Sequence, residues 1–267
     1  MWRRKGFEIP KTGRLCPVCR RHLDSFSTGP GGRPDARCGQ CHSLERHRYL
    51  ALLLAAFSKE IAASKYILEI APSLSVTRML REAGRGFYLG LDVDPAADGR
   101  KVHVVADLCA APFPDAVFET SVCFHVFEHI QDDVTAMTEY ARLISPAGIG
   151  FIQNPWRATG STEEDPAASP EERIRRFGQA DHVRMYGADF EDRLRSVGLQ
   201  PRRILPELVL DSRAIDVMGI TPDTPIWIVF GPQSRYSHLN DTRLIDGLRR
   251  RIDKVLARLT WSPMKAR

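Results

Sequence analysis

The chain has 267 residues, of which 43% are hydrophobic and 27% charged, with a net charge of +5. This apolar content at so small a net charge excludes global disorder, and no apolar run reaches the roughly 18 residues that a membrane-spanning helix needs. The length allows one sizeable core and a small second module.

The opening segment, MWRRKGFEIP, is basic but has no apolar stretch behind it, so it does not read as a secretory signal. The expected compartment is the cytosol, where thiols stay reduced. Charge is unevenly spread: residues 1–48 carry +7, residues 232–267 carry +6, and the stretch between carries −8. Two basic ends around an acidic centre suit either a nucleic-acid surface or plain solvation.

Four of the six cysteines form two pairs, Cys16-Pro17-Val18-Cys19 and Cys38-Gly39-Gln40-Cys41, with 18 residues between them. Two such turns brought together offer four thiolates in the tetrahedron that Zn²⁺ prefers. The intervening DSFSTGPGGRPDAR can build little core, so a metal would supply the folding energy. A pair of redox C-x-x-C motifs is the competing reading, but a thioredoxin-type motif sits in a βαβ unit and none flanks these. His42 follows the last cysteine and reads as a neighbour of the metal shell. Residues 1–42 are therefore expected to be a zinc-ribbon module. Cys123 lies in an apolar run and reads as core, and Cys109 lies in a loop with no assigned role.

Residues 43–63 read as one helix, with Ser43 as its N-cap and Leu44, Tyr49, Leu52 and Leu53 buried. Strand-like runs follow at 66–70, 87–91, 102–106, 120–124 and 149–153, with helical stretches at 76–83 and 133–144. Pro146-Ala147-Gly148 breaks the second of these. The alternation argues a parallel sheet with helices on both faces, and runs such as YILEI suit strands buried on both sides. Residues 154–188 are a polar, Pro-rich insertion, long enough to be functional. A helix at 190–197 and strands at 203–210 and 225–231 complete seven strands, the last two candidates for antiparallel pairing. The main domain thus spans 43–231. The tail, 232–267, carries a basic amphipathic helix at 239–259 with Leu244, Leu248, Val255, Leu256 and Leu259 on one face, which could pack on a second copy. The oligomeric state is open.

In a doubly wound parallel sheet the carboxyl ends of the strands share one edge, and ligands bind there. The strand ends are Glu69-Ile70-Ala71-Pro72-Ser73, Asp92-Val93, Asp107-Leu108 and Phe124-His125. A carboxylate at Asp92 can take both hydroxyls of a ribose, and Asp107 can take the exocyclic amine of an adenine. No G-x-G-x-x-G is present, which argues against dinucleotide-dependent hydride transfer.

The block from about residue 67 to 155 resembles the class I S-adenosylmethionine-dependent methyltransferases, through APFPDAVFETSVCFHVFEHI and ARLISPAGIGFIQNP. CGQCHSLERHRYL and EDPAASPEERIRRFGQADHVRMYG are similar to a bacterial subfamily with a zinc ribbon ahead of that domain, so the resemblance covers roughly residues 14–231. It implies a Rossmann-like seven-stranded sheet, S-adenosyl-L-methionine as cofactor and methyl transfer as activity. The implied cofactor residues are Glu69, Ala71, Pro72, Ser73, Asp92, Val93, Asp107, Leu108 and His125. One departure stands out. The superfamily has a Gly-rich turn after the first strand where backbone approaches the cofactor closely. Here that turn has no glycine, so contacts there are altered. Ser73 could donate a compensating hydrogen bond, and an arginine of the 43–53 helix could reach the cofactor carboxylate.

Methyl transfer from a sulfonium is an in-line displacement, in which the protein mainly aligns nucleophile, carbon and sulfur. An acceptor that must lose a proton needs a base, for which His125, His129 and His182 are candidates. His129 and His182 are taken as the catalytic pair, and Tyr49, Arg184 and Tyr186 as acceptor-binding. Arg175 and Arg176 read as a solvated helix face. The insertion suits a lid over a small-molecule acceptor, O- or N-methylated in biosynthesis or glycan modification. The alternatives are an RNA methyltransferase gripping its substrate through ribbon and tail, a non-catalytic zinc-bearing scaffold, and a cofactor-binding enzyme that catalyses a rearrangement.

Overall fold

The computed structural model describes residues 12–96 and 100–259. The N-terminal segment read as lacking a signal and the last residues of the tail lie outside them. Two short strands, β1 (Arg14–Cys16) and β2 (Arg21–Leu23), pair antiparallel and carry the first cysteine pair.

The predicted 43–63 helix is two helices, α1 (Glu45–Ala56) and α2 (Ser58–Ala63), separated at Phe57, whose φ/ψ of −103°/21° ends the first. Ser43 does not cap it. Leu44 occupies that position, and its N–H donates to His47 Nδ1 at 3.3 Å. Ser43 turns instead toward the cysteines. Leu44, Tyr49, Leu52 and Leu53 are buried as expected.

The central sheet has the strand order β10-β11-β7-β6-β3-β4-β5. Its strands are β3 (Tyr66–Ile70), β4 (Phe87–Asp92), β5 (Val104–Val105), β6 (Phe118–Phe124), β7 (Ile144–Gln153), β10 (Pro201–Ile204) and β11 (Ile226–Phe230). β11 runs antiparallel to both β7 and β10. It is thus the single reversed strand, and β10 runs with the other five, where both were candidates for reversal. The strand expected at 102–106 is two residues long. The one expected at 203–210 ends at Ile204, because Pro206 opens a turn of helix, α7 (Pro206–Val209). Helix α4 (Asp133–Leu143) ends before the expected breaker, with Ile144 already extended, and Pro146-Ala147-Gly148 lies within β7, where the pairing with β6 shifts register between Phe118 and Thr120.

Strand residues alternate between two cores. Ile67, Val122, Phe151, Ile226 and Ile228 face one core, shared with α1, α2, α3 (Leu74–Ala83), α8 (Ser212–Val217) and α9 (Asp241–Leu256). Leu68, Cys123, Ile152, Trp227 and Val229 face the other, against α4 and α6 (Phe190–Ser196). This period of two on both faces is what a doubly covered sheet requires. Cys123 is core, as read. Helix α9 packs on α1 and α7 of its own chain through Leu244, Leu248, Ile252 and Leu256. Among the described residues no helix is long and apolar enough to cross a membrane.

The insertion folds as β8 (Glu163–Glu164) and β9 (Arg184–Met185), paired antiparallel, with α5 (Pro170–Phe177) between them. Ser169 caps α5 by accepting from the Glu172 N–H, and Pro170 fills the first turn, as an N-terminal proline should.

Candidate functional site

The connections leave β3 in opposite directions: β4 and β5 lie on one side, β6 and β7 on the other. A crevice opens at the carboxyl edge of a sheet at such a switch point. Both strands flanking it end on a residue in the left-handed region, Ala71 at φ 51° after β3 and His125 at φ 56° after β6. The missing glycine therefore did not remove the turn. An alanine adopts the glycine-like conformation at a cost of about 1 kcal/mol. Pro72 lies over Gly90 of the neighbouring strand, where a Cβ would come within 3.0 Å of Pro72 Cγ. The small residue the turn needs stands on β4.

Glu69 is the penultimate residue of β3. Its carboxylate is buried and accepts from the Ser73 N–H and Thr77 hydroxyl, both at 2.7 Å, and from the Tyr88 hydroxyl at 2.5 Å. Burial pushes it up to about 7 against those donors. It holds the Ala71–Ser73 turn in shape. Ser73 likewise serves the fold, capping α3 by accepting from the Val76 N–H. Asp92 ends β4, with Oδ1 accepting from the Asp94 N–H and Oδ2 3.3 Å from Arg100. Val93 beside it is 64% exposed, and so is Leu74 at 68%, an apolar residue of this edge that sequence reasoning missed. Asp107 is exposed and accepts from the Cys109 N–H, and Leu108 is buried beneath it.

On the other side of β3 lies a cavity of about 590 Å³. Its wall includes His125, the segment Gln153–Ala158 at the end of β7, Arg46 and Tyr49 of α1, and His182 of the insertion. Tyr49 is buried, and its hydroxyl donates to the Ile204 carbonyl. Burial holds the His125 imidazole well below its usual range, aided by the charge of Arg46, so it is neutral near pH 7. Arg46 is the arginine of α1 that meets the cavity. Arg48 is fully buried and donates to the carbonyls of Ala36, Ser43, Met218 and Gly219.

Arg184 and Tyr186 are not in the cavity wall. Arg184 is buried and donates to the carbonyls of Phe127, Ile130 and Gln131 and to Glu164, while the Tyr186 hydroxyl donates to Asp133. Their polar atoms are occupied in anchoring the insertion, which sequence spacing does not reveal. Arg176, expected as a solvated face, pairs with Glu163 and Asp165. Near the cavity, His182 Nδ1 meets the Phe177 carbonyl at 2.9 Å, and His129 Nδ1 lies 3.2 Å from Asp181.

The sulfurs of Cys16, Cys19, Cys38 and Cys41 lie within 4.8 Å of one another, with Cys16–Cys41 at 3.6 Å and Cys19–Cys38 at 3.8 Å. Four Zn–S bonds of about 2.3 Å in a tetrahedron place sulfurs about 3.8 Å apart, so the donor set fits zinc. Ser43 Oγ lies 3.3 Å from Cys16 and 3.2 Å from Cys41, and His42 points to solvent outside the cluster.

Residues 69–152 match the family described as a methyltransferase domain. With the seven-stranded, mostly parallel sheet, this match gives the chain an α/β methyltransferase fold. A Mycolicibacterium smegmatis protein described as a probable S-adenosylmethionine-dependent methyltransferase is 32% identical over 92 residues, covering 31% of this chain. The match spans only 35% of that relative's length. Among solved structures, the N-methyltransferase NodS of Bradyrhizobium japonicum, crystallised with S-adenosyl-L-homocysteine, is 18% identical with a TM-score of 0.46, over 71% of this chain and 88% of that one. An S-adenosylmethionine-dependent methyltransferase of Mesorhizobium loti is 14% identical with a TM-score of 0.46, over 68% and 96%.

Proposed function

We propose that the chain transfers a methyl group from S-adenosylmethionine to a small-molecule acceptor, with a structural Zn²⁺ in the cysteine cluster. The observation that carries the acceptor class is the cavity at the carboxyl ends of β6 and β7, beside the switch point, whose roughly 590 Å³ falls within the range of small-molecule sites. It is walled by the sheet edge, by α1 and by the insertion, so an acceptor there would be covered on several sides.

The residues present fit the cofactor. Asp92 and Asp107 offer carboxylate oxygens at adjacent strand ends for ribose and adenine, and the exposed Val93 and Leu74 offer apolar surface to the base. Ala71 and Pro72 form the turn beside them, and Arg46 offers a cation to a carboxylate. When bound, S-adenosylmethionine supplies an electrophilic methyl group. The chain's own part is to orient: His125, Asn154 and Trp156 line the acceptor side, and the covering segments exclude water. Two of the tail's cations, Arg235 and Arg251, are engaged with Glu60.

Titration calorimetry tests the reading. The wild type should bind S-adenosylmethionine, and Asp92→Ala should weaken binding by about 10- to 150-fold, the loss of a charge-assisted contact of roughly 1.5–3 kcal/mol. Unchanged affinity would remove Asp92 from the site, and no binding to wild type would leave the scaffold reading. For the acceptor class, RNA binding that falls steeply with salt would replace the small molecule with RNA.

A further inference from the structure

Glu128, His129 and His182 bring three potential ligand atoms within 4.8 Å of one another beside the cavity. The first two follow β6, and the third comes from the insertion. We propose that they bind one divalent transition-metal ion, distinct from the ion of the cysteine cluster.

The argument rests on unpartnered atoms. Glu128 is fully buried, and its Oε1 makes no hydrogen bond; His125 Nδ1 lies 3.1 Å away without hydrogen-bond geometry. His182 is 2% exposed, and its Nε2 also has no partner. Buried polar atoms are rarely left unsatisfied, because each costs about 1–3 kcal/mol. Two of them in one cluster of carboxylate and imidazole point to a shared occupant.

The remaining atoms of each ligand are already fixed. His182 Nδ1 meets the Phe177 carbonyl at 2.9 Å, so that nitrogen carries the proton and Nε2 the lone pair. His129 Nδ1 faces Asp181, which leaves Nε2 free in the same way. With the Asn154 amide turned for hydrogen bonding, its nitrogen donates to Glu128 Oε2 at 2.8 Å, leaving Oε1. Carbonyls and carboxylates that orient imidazoles from behind are the usual second layer of a metal site. Bonds of about 2.1 Å set ligand atoms some 3–4 Å apart, so closure needs only a small contraction. Two imidazoles and one carboxylate suit Mn²⁺, Fe²⁺, Co²⁺, Ni²⁺ or Zn²⁺ rather than Mg²⁺ or Ca²⁺. Three protein ligands leave coordination positions open, and His182 is itself part of the cavity wall. His129 and His182 are then ligands, and their lone pairs are not available to take a proton from an acceptor.

The test uses the full chain carrying one zinc, held by the cysteines, with excess zinc removed so that the second site is free, and Mn²⁺ as the probe, since Mn²⁺ binds thiolates too weakly to displace zinc. Binding is read as loss of the free Mn²⁺ electron paramagnetic resonance signal, which requires no methyl transfer. One Mn²⁺ per chain should bind, and Glu128→Gln and His182→Gln should each weaken it at least about 10-fold with zinc retained. Should those buried variants fold poorly, His129→Gln, at a half-exposed position, is expected to give the same loss. A wild type that leaves the signal unchanged at millimolar Mn²⁺, or folded variants that bind like wild type, would overturn the site.

Discussion

Two segments with little core of their own border the sheet edge: the cysteine-bearing ribbon and the 154–188 insertion. Each is pinned by an arginine buried to within 1% of complete. Arg48 joins the ribbon to the body through four carbonyls and stacks 3.9 Å over Phe26. Gly219 lets it approach, because a Cβ there would lie 2.9 Å from its guanidinium. Arg184 joins the insertion to the turn after β6 through three carbonyls and Glu164, with Asp133 3.6 Å away. The difference is the counter-charge. Arg184 has carboxylates beside it, whereas Arg48 hydrogen-bonds only neutral carbonyls; burial lowers its guanidinium, and the charges of Cys16, Glu45, Cys38 and Asp35 offset that only in part. A zinc tetrathiolate would carry a net charge of −2, so on the proposed zinc site metal binding and the burial of Arg48 would support each other.

The largest effects should come from breaking the pins. Arg48→Met and Arg184→Met each strand several buried carbonyls, and each should cost about 3–5 kcal/mol in urea unfolding. Their local signatures should differ. Hydrogen exchange should rise over the ribbon in the first variant and over the insertion in the second. If Arg184→Met also released zinc, the two segments would be one cooperative unit and the comparison would fail.

A second experiment targets the counter-charge. Cys38→Ser should abolish bound zinc, read by metal analysis, and expose the ribbon to protease while the insertion keeps its protection. In an Arg48→Met background the same change should cost less than it does alone, because the charge that the thiolates neutralise has gone. Strict additivity would show that zinc and Arg48 act independently.

The sheet was legible because its strands are apolar runs bounded by Asp, Pro and Gly, and burial on both faces demands such runs. The cysteine cluster was legible because spacing alone brings two C-x-x-C turns together. The polar residues were less readable. Arg184 and Glu69 look like ligand-binding groups in a sequence, yet one anchors a loop through backbone carbonyls and the other props a turn through Thr77 and Tyr88. Backbone partners carry no residue code, so no pattern announces them. Ser43 was misplaced for a different reason: a serine before a helix resembles a cap, and here the cysteine side chains draw it away. Ala71 shows the converse, since the absent glycine suggested a different turn and the chain kept the conformation with an alanine.

The smallest effect isolates the charge beside Arg184. Burial raises the Glu164 carboxyl, but hydrogen bonds from Arg193 and Arg184 outweigh it and hold the group below its ordinary 4.5. A carboxylate held down in the folded state contributes its full stabilisation above the unfolded value and loses it as pH falls through the folded one. With 41% of the side chain exposed, water screens the pair, and Glu164→Gln should cost about 1 kcal/mol at pH 7. Wild type and variant should then converge in urea unfolding as pH falls through the folded value, where Glu164 takes up its proton. A gap that persisted in acid would assign the effect to packing, leaving Asp133 as the only counter-charge that matters at the insertion. A gap that closed would confirm that the insertion depends on a carboxylate placed beside a buried arginine, the part that the proposed zinc thiolates would play beside Arg48.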